Sequence, residues 1–332
     1  MADETDEDED LPSYRVVYVV PRAAGMRVDR FLAVRFHDRS RTEFNKALKA
    51  RLVTLADGSS LRPSTIVRAG DVLHVHIEGI APPGPPPKCP PAIFEDARVI
   101  ALDKPAGMMA HPAGTRFVYA AVGLARAQWP NDAVDLCHRL DKDTSGILLM
   151  TKDMAANALL KNAFLKGRCH KEYVAIVKGV PEWDTRSIEA PIGRAGGEIR
   201  IQMAVVPDGL PARTDVTVVA RNVEAGLTLV RLRLFTGRTH QIRVHMHHVG
   251  LPLLGDLMYG VPPEVFLDVQ ERGVQPEHIV VSGAPRQALH AAKLVFPHPD
   301  GTVVTVESPL PRDMQSWWDD PASLPWVRDA AS

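Results

Sequence analysis

Hydrophobic and polar residues follow one another in the first part of the chain in a pattern that predicts two short helices between strands. The first helix is predicted around residues 28–32, where apolar residues recur at i, i+3 and i+4. The second is predicted to begin at Ser40 and end near Leu52, because Ser40-Arg41-Thr42-Glu43 has the form of a capping box. Strands are predicted over residues 14–20 and 72–77.

From residue 93 the pattern becomes mostly β with a few helices. The apolar run at 147–150 is typical of a buried strand, and residues 171–178 and 227–235 alternate as half-buried strands do. Residues 155–165 carry an apolar stripe at helical spacing. Asp300-Gly301, between two apolar runs, predicts a tight hairpin.

A proline-rich segment divides the two regions. Residues 80–92 hold so many prolines that neither a helix nor a central strand is expected, so we predict a semi-rigid spacer, with an SH3-type ligand as the alternative. The spacer would separate a small domain at 14–79 from a larger one at 93–312. Residues 1–13 are predicted to form an acidic disordered tail. The pattern is lost after residue 312, so 313–332 is predicted as a C-terminal tail whose tryptophans pack locally.

Composition narrows the class of protein. Hydrophobic residues make up 45% of the chain, yet no apolar run reaches the about 18 residues of a membrane span. The acidic N-terminus argues against a secretory signal peptide, and three widely spaced cysteines indicate a reducing cytoplasm without a disulfide or zinc framework. Positions 3–10 contain seven acidic residues. Without them the chain has 39 Lys and Arg residues and 33 Asp and Glu residues. That excess of positive charge favours a polyanionic partner.

Basic residues are concentrated between Met26 and Arg51, where eight stand against three acidic residues. They are Arg27, Arg30, Arg35, Arg39, Arg41, Lys46, Lys49 and Arg51. Clusters of this kind contact the phosphates of nucleic acids, and the alternative is an ordinary solvated basic face.

Residues 137–151 place charged and hydroxyl side chains directly before the buried strand. Ionisable groups at the mouth of a core strand must be paired or hydrogen-bonded, since burying them otherwise costs roughly several kcal/mol. Asp141 is the candidate functional carboxylate. The local pattern leaves another interpretation open, in which Asp141, Asp143 and Thr144 simply form a turn. A glycoside hydrolase that pairs Asp141 with Asp143 is disfavoured, because residues i and i+2 of an extended segment point to opposite faces.

A second polar cluster occupies residues 236–246, after a strand. We predict that a helix begins here with Thr239 as its N-cap and ends at Gly250, with Ile242 and Met246 facing the core and Arg243 on the polar face. Four histidines in this cluster and directly after it, His240, His245, His247 and His248, raise the possibility of a metal site. No Cys or carboxylate lies at ligand spacing, so a polar helix face is preferred. The sequence has no Gly-rich nucleotide-binding loop.

Two sets of motifs resemble known families. Residues 26–78, with Arg27-Val28-Asp29-Arg30-Phe31-Leu32, Arg39-Ser40-Arg41 and the segment from Pro63 to Val75, resemble the S4-like RNA-binding module. Residues 93–312 carry five ordered motifs that resemble those of the RluA/RluD-type pseudouridine synthases. These are Lys104-Pro105-Ala106-Gly107 with His111-Pro112, His138-Arg139-Leu140-Asp141 with Thr144-Ser145-Gly146, Lys171-Glu172-Tyr173-Val174-Ala175, residues 236–245 with 255–260, and Leu289-His290-Ala291 with Ser308-Pro309-Leu310-Pro311.

The resemblance implies an α+β protein: a catalytic domain with a mixed, largely antiparallel sheet, preceded by a small α/β S4-like domain. It implies that uridine becomes pseudouridine by cleavage of the N1–C1′ bond, rotation of the uracil and rejoining through C5. Asp141 would be the essential carboxylate, Arg238 its partner, and Tyr173 the residue that lies against the base. No metal or other cofactor is required, and the base must leave its stack to react.

Further residues are expected to contact RNA, namely His138, Arg139, Lys171, His240, Arg27, Arg30, Arg39, Arg41, Lys46 and Lys49. The departures from the family's motifs, such as Asp103 in place of Asn and Leu210 in place of Lys, leave Asp141, Arg238 and Tyr173 untouched. The sequence therefore predicts a monomeric, cytoplasmic pseudouridine synthase acting on 23S ribosomal RNA. The alternatives are a tRNA-directed synthase and a non-catalytic RNA-binding or ribosome-assembly factor on the same scaffold.

Overall fold

The computed structural model describes residues 15–19, 24–36, 41–76, 87–111 and 120–324. The predicted acidic tail, most of the proline-rich segment, Arg39 with the Ser40 cap, and the last eight residues lie outside the described parts. The described residues form two compact units, one made of those up to Cys89 together with those between His111 and Pro130, and the other of 90–110 and 131–324. The division falls at Cys89, inside the segment predicted as a spacer. The domain limits assigned from the sequence stay predictions.

The first unit contains the two helices predicted from its apolar spacing. Its elements are β1 (Arg15–Tyr18), α1 (Val28–Arg35), α2 (Arg41–Lys49), β2 (Val53–Leu55), β3 (Val72–Val75) and α3 (Ala121–Gln128). The strands form an antiparallel sheet in the order β1-β3-β2. Leu32 of α1 and Phe44 of α2 are completely buried in a core shared with Leu73 of β3, which confirms the predicted apolar faces of both helices.

The second unit is built around a mixed, largely antiparallel sheet, as predicted. Its strands are β4 (Ala92–Glu95), β5 (Val99–Lys104), β6 (Asp135–Leu136), β7 (Ser145–Thr151), β8 (His170–Lys178), β9 (Thr185–Glu189), β10 (Ile192–Arg194), β11 (Met203–Val205), β12 (Arg213–Asn222), β13 (Leu227–Leu234), β14 (Leu289–Pro297) and β15 (Val303–Glu307). The main sheet has the order β4-β5-β7-β14-β8-β13-β12-β9, with β15 beside β14 and β6 beside β7, while β10 and β11 form a separate pair. Strand β7 is parallel to β14, and every residue of β7 is buried.

Helices α4 (Met154–Leu165), α5 (Gln241–His248), α6 (Pro263–Arg272), α7 (Pro276–Ser282) and α8 (Arg312–Asp319) complete this unit. Helix α8 corrects the prediction of a patternless tail after residue 312. Its Met314 is completely buried beside Ile176 and Leu227, and Trp317 packs against the same cluster, so the local packing expected of that tryptophan is present. Within the described parts, no helix is long and apolar enough to cross a membrane.

Charged residues mark the solvent side of the main sheet. Glu172 of β8 lies opposite Lys293 on one neighbouring strand and Arg233 on the other, and Arg233 lies opposite Asp215. This row of alternating charge is favourable, because opposite charges on facing cross-strand positions attract. Tyr173, the next residue along β8, therefore points to the other face of the sheet.

Candidate active site

Strand register brings the separated polar motifs into one row across the sheet. Lys104 at the end of β5 is opposite Gly146 of β7, Gly146 is opposite Ala291 of β14, Ala291 is opposite Tyr173 of β8, and Tyr173 is opposite Leu232 of β13. Residues that are distant in sequence thus meet beside the segment that carries Asp141.

Gly146 is required for this row. Its φ of +102° lies in a region that L side chains rarely adopt, and a Cβ there would overlap the backbone carbonyl of Ala291. The glycine therefore permits the parallel pairing of β7 with β14. This pairing places Ser145, at the end of the 141–145 segment, beside His290 of β14.

Asp141 begins a hydrogen-bonded turn that leads into β7. The Thr144 amide donates to the Asp141 carbonyl at 3.2 Å, so the turn predicted from the local pattern is present. The carboxylate itself is about one-third exposed, and its Oδ2 accepts a hydrogen bond from Nη1 of Arg243 at 3.2 Å. Among the described residues Oδ1 has no hydrogen-bond partner, so that oxygen is available to a substrate. The predicted turn and the candidate carboxylate are therefore one feature.

Arg243 joins Asp141 to a second, buried carboxylate. Its Nε and Nη2 donate to the two oxygens of Asp256 at 2.7 and 2.9 Å, and Asp256 also accepts the backbone amides of Met258 and Tyr259. Burial alone would raise the pKa of Asp256, but the charge and hydrogen bonds of Arg243 bring that pKa below its usual value. The bidentate pair fixes the guanidinium plane, and that plane in turn directs Nη1 at Asp141.

The prediction that Arg238 pairs with Asp141 is wrong in this structure, because Arg243 makes that contact. Nε of Arg238 instead donates to the Pro211 carbonyl at 3.0 Å, and the Arg238 amide donates to the Gln241 side chain. The prediction that Arg243 lies on a polar helix face is also wrong. Residues 241–246 of α5 are all buried, and the Arg243 side chain, only 10% exposed, lies inside the protein and pairs with Asp256.

The start of α5 has an unusual backbone. His240, rather than the predicted Thr239, is the N-cap, and its φ of +56° is in the left-handed region. A hydrogen bond of 2.9 Å joins Nδ1 of His240 to the Tyr259 hydroxyl, and the Tyr259 ring lies 4.9 Å from the centre of the Arg243 guanidinium. Burial, with the charge of Arg243, lowers the pKa of His240, so its imidazole is neutral at pH 7. Tyr259 thus packs against the Arg243 guanidinium and is held in place by His240.

Lys104 also contacts the turn that begins at Asp141, through the Lys142 carbonyl. This lysine is completely buried, and its Nζ donates to the carbonyls of Pro105, Met108 and Lys142 at 2.9, 2.8 and 2.9 Å. Burial lowers the pKa of Lys104 to about 7, against the opposing effect of the Asp143 and Asp141 charges. All three ammonium hydrogens therefore have acceptors, one of which belongs to the turn that begins at Asp141.

Tyr173 is buried on the same face of the sheet as this network. Burial raises the pKa of its hydroxyl, and the negative charge of Asp141 raises it further. Tyr173 is therefore a neutral phenol at pH 7, able to contact a base through its ring or to donate a hydrogen bond, but not to act as a phenolate.

Besides His240, which is bonded to Tyr259, two of the predicted RNA-binding residues of this unit make contacts inside the protein. The His138 Nε2 accepts the Leu149 amide at 3.1 Å, and its ring packs on Phe164 with centroids 4.8 Å apart. Burial lowers the pKa of His138 to about 3, so the imidazole stays an acceptor. Lys171 donates to the Thr236 carbonyl at 3.0 Å. Both support the strands around the site, whereas Arg139 is exposed and open to a ligand. The RNA contacts assigned to these three residues and to His240 stay predictions.

In the first unit, a buried carboxylate holds two of the predicted RNA-binding arginines. Asp29 accepts hydrogen bonds from Arg27 and from Arg41, whose side chains are each about half exposed. Although burial alone would raise it, these bonds lower the pKa of Asp29 to about 2. Arg30, Lys46 and Lys49 are exposed. The arrangement orients positive charge at the surface, as phosphate binding requires.

No assembly of the α5 histidines into a metal site is seen in the described structure. His245 is buried and bonded to Thr214 and the Ala190 carbonyl, while His247 and His248 are exposed. Elsewhere Asp268, Glu277 and His278 bring possible ligand atoms together, but Arg272 pairs with both of the carboxylates. This second group is explained by the ion pairs between α6 and α7.

The roles of Arg243 and Asp256 were not predicted from the sequence. Both residues lie inside the motifs at 236–245 and 255–260, and the signal that could identify them is the presence of one basic and one acidic residue in otherwise apolar surroundings. Their network can orient an ionised carboxylate beside a buried tyrosine and leave one carboxylate oxygen open. That arrangement suits nucleophilic or proton-transfer chemistry by Asp141.

Comparisons with known proteins identify a common family. A family model described as RNA pseudouridylate synthase matches residues 98–248, which contain Asp141, Tyr173 and Arg243. An RNA pseudouridine synthase of Chloroflexus aurantiacus, described as uncharacterized, is 38% identical over 318 residues, which cover 91% of this chain and 92% of the relative. The ribosomal large subunit pseudouridine synthase D of Xanthomonas campestris is 34% identical over 322 residues, covering 95% and 94%.

Solved structures agree with the fold. Human RNA Pseudouridylate Synthase Domain Containing 1 is similar with a TM-score of 0.52 and 28% identity, covering 66% of this chain and 82% of that one. Human RNA Pseudouridylate Synthase Domain Containing 4 is similar with a TM-score of 0.54 and 23% identity over 68% of this chain and 90% of that chain, a likeness of fold alone.

Proposed function

This chain belongs to the RNA pseudouridine synthase family, and on that premise we propose that it isomerises uridines of large-subunit ribosomal RNA with Asp141 as its catalytic carboxylate. The protein is an enzyme, an RNA pseudouridine synthase, and RNA is its substrate. The observation that carries the proposed catalytic role is the geometry of Asp141, held at one oxygen by Arg243 and open at the other.

Asp141 has two chemically complete routes. In one, Oδ1 attacks C1′ of the ribose as the N1–C1′ bond breaks, and the carboxylate leaves again when C5 of the rotated uracil bonds to C1′. In the other, the carboxylate removes a proton from the ribose, uracil leaves, and the proton is later returned. In both routes C5 loses the hydrogen that N1 gains, so no redox partner is needed. Arg243 serves each route by fixing the direction of the carboxylate.

Tyr173 supplies the surface for the base in this proposal. An aromatic ring stacked on a nucleobase contributes roughly 1–3 kcal/mol, and the buried phenol beside Asp141 stays neutral during the reaction. The target uridine must leave its helical stack to reach a carboxylate that is only about one-third exposed. The raised pKa of Tyr173 argues against a role for this residue as general base.

Large-subunit ribosomal RNA is the proposed substrate because several relatives of similar length carry that substrate in their names. These include the synthases D of Xanthomonas campestris, Pseudomonas aeruginosa and Zymomonas mobilis. The arginines that Asp29 orients in the first unit supply sequence-independent affinity for a long polyanion, which suits an S4-like role. We propose further that the enzyme acts as a monomer in the cytoplasm.

Mapping of pseudouridines tests the choice of substrate. Ribosomal RNA and tRNA from cells that lack this protein should be compared with RNA from cells that express it again and from cells that express the Asp141→Asn variant. We expect one or more positions of large-subunit ribosomal RNA to lose the modification and to regain it with the wild-type protein alone. If pseudouridine were lost only from tRNA, the substrate would be tRNA and not ribosomal RNA. If Asp141→Asn restored the modification, Asp141 would be excluded from catalysis.

A further inference from the structure

The turn that carries Asp141 is also held by a segment outside the matched family region. Nη1 of Arg286 donates to the Asp143 carbonyl at 3.3 Å, and Nε2 of Gln287 donates to the Thr144 hydroxyl at 2.7 Å. The Thr144 amide in turn closes the turn onto the Asp141 carbonyl. Together with Lys104, which binds the Lys142 carbonyl, these contacts fix three consecutive residues after Asp141.

Arg286 is itself fixed by helix α8. Nε and Nη2 of Arg286 donate to the two oxygens of Asp313 at 2.7 and 2.9 Å, and the guanidinium lies 5.4 Å from the centre of the Trp317 ring. The Arg286 side chain is only 10% exposed, whereas that of Asp313 is 42% exposed, so the pair is shielded from solvent on the side of the arginine. A bidentate arginine–carboxylate pair sets the plane of the guanidinium as well as its position, which a single charge would not do.

The backbone of Arg286 also touches the segment that carries the second carboxylate. A Cβ on Gly255 would overlap the Arg286 carbonyl oxygen, and Gly255 directly precedes Asp256. Arg286 therefore contacts the turn of Asp141 with its side chain and the approach to Asp256 with its main chain. These are the two carboxylates that share Arg243.

We propose that Arg286 and Asp313 are positioning residues for Asp141, through which helix α8 sets the direction of the catalytic carboxylate. The proposal rests on the proposed catalytic role of Asp141. It follows from the chain of contacts Asp313 to Arg286 to the Asp143 carbonyl, which lies two residues from Asp141. Catalytic side chains on loops need supporting contacts of this kind, since a displacement of about 1 Å can lower a rate about 100-fold.

Variants of the pair should separate a positioning role from a merely structural one. We expect Arg286→Gln to lower kcat about 10- to 100-fold on substrate RNA while KM changes less than about threefold. Asp313→Asn keeps the shape of its side chain and should lower kcat in the same direction by less. Arg286→Lys, which keeps the charge without the fork, should recover only part of the loss.

The matched control is Arg98→Gln. Arg98 and Asp153 also form a bidentate pair, at 2.9 and 3.0 Å, but they make no hydrogen bond to residues 141–144. Amide hydrogen exchange of the peptide containing residues 141–145 should accelerate in Arg286→Gln and Asp313→Asn and stay at the wild-type rate in Arg98→Gln. This readout needs no substrate, so it tests the clamp separately from the catalytic assignment.

Three outcomes would overturn the proposal. One is unchanged exchange of the turn in Arg286→Gln. Another is a loss of kcat in Arg98→Gln equal to that in Arg286→Gln, which would mean that general destabilisation explains both. The third is a kcat of wild-type size in Arg286→Gln. A wild-type protein that converts no uridine would instead refute the proposed function and, with it, any positioning role in catalysis.

Discussion

Replacing Arg243 by Gln is expected to destabilise the folded protein in a pH-dependent way. Arg243 is the only ionic partner of Asp256 among the described residues, and Asp256 is 1% exposed. Gln cannot supply the paired N–H donors or the positive charge. The variant therefore leaves a buried carboxylate with two backbone amides and without its ion-pair partner.

The size of the effect follows from that burial. Removing one partner of a buried ion pair costs about 3–5 kcal/mol, because the remaining charge is uncompensated, and whole domains are stable by only about 5–15 kcal/mol. In the wild type the pKa of Asp256 is lowered, so its contribution to stability is present above its unfolded pKa of about 4 and is lost as the pH falls through the lower folded pKa. In the variant burial would raise that pKa above the unfolded value. The penalty should therefore be larger at pH 7 than at pH 4.5, where the carboxyl of the variant is protonated but the wild type keeps most of the stability that its ionised Asp256 contributes.

Chemical denaturation at pH 7 and pH 4.5 measures this difference. The control is Arg238→Gln, which removes one exposed hydrogen bond to a backbone carbonyl and should cost about 1 kcal/mol or less at both pH values. Adding Asp256→Asn to Arg243→Gln should recover part of the stability lost at pH 7, because the unpaired charge is then absent. A loss of equal size at both pH values, or no recovery in the double variant, would refute the reasoning.

Two further predictions concern the backbone and the buried lysine that position the turn. Gly146→Ala should destabilise the protein by at least about 2 kcal/mol in denaturant titrations, because the new Cβ would overlap the Ala291 backbone and the residue has a positive φ. The control Gly196→Ala, also at a positive φ but with open space around it, should cost about 1 kcal/mol. Equal losses in the two variants would contradict the close approach of β7 and β14. Lys104 has a folded pKa lowered to about 7, so the stability it contributes is present above its unfolded pKa of about 10.4 and is lost as the pH falls towards 7. The free energy of unfolding of the wild type relative to Lys104→Met should therefore increase from pH 7 to pH 9.5, and a constant difference across that range would contradict the depressed pKa.

The sheet was predictable from the sequence because its strands have strong local patterns. The apolar run of β7, the alternation of β8 and β13, and Asp300-Gly301 between β14 and β15 each follow from side-chain periodicity or turn chemistry. The row from Lys104 to Leu232 was not predictable in this way. It depends on the register of five strands, including a parallel pair, and a register of non-local strands leaves no mark in local periodicity.

The partner of Asp141 was missed for a related reason. Arg238 and Arg243 lie in one motif, and helical spacing assigned Arg243 to solvent. In the structure α5 is buried on nearly all sides, and a carboxylate 13 residues later, Asp256, compensates the buried guanidinium. Helix α8 was not predicted, although Met314, Trp317 and Trp318 lie at i, i+3 and i+4. The polar residues between them and the acidic residues beside them make this apolar stripe short and its periodicity weak.

The central claim is that the Asp141 carboxylate performs the isomerisation, and one measurement tests it most directly. Unmodified large-subunit ribosomal RNA is incubated with purified wild-type protein or with Asp141→Asn, and pseudouridine formation and RNA binding are both quantified. We predict that the wild type converts a defined uridine, whereas Asp141→Asn binds the RNA with similar affinity and forms no pseudouridine. Conversion by Asp141→Asn at the wild-type rate would contradict the assignment, and binding by the wild type without any conversion would support a non-catalytic RNA-binding factor instead.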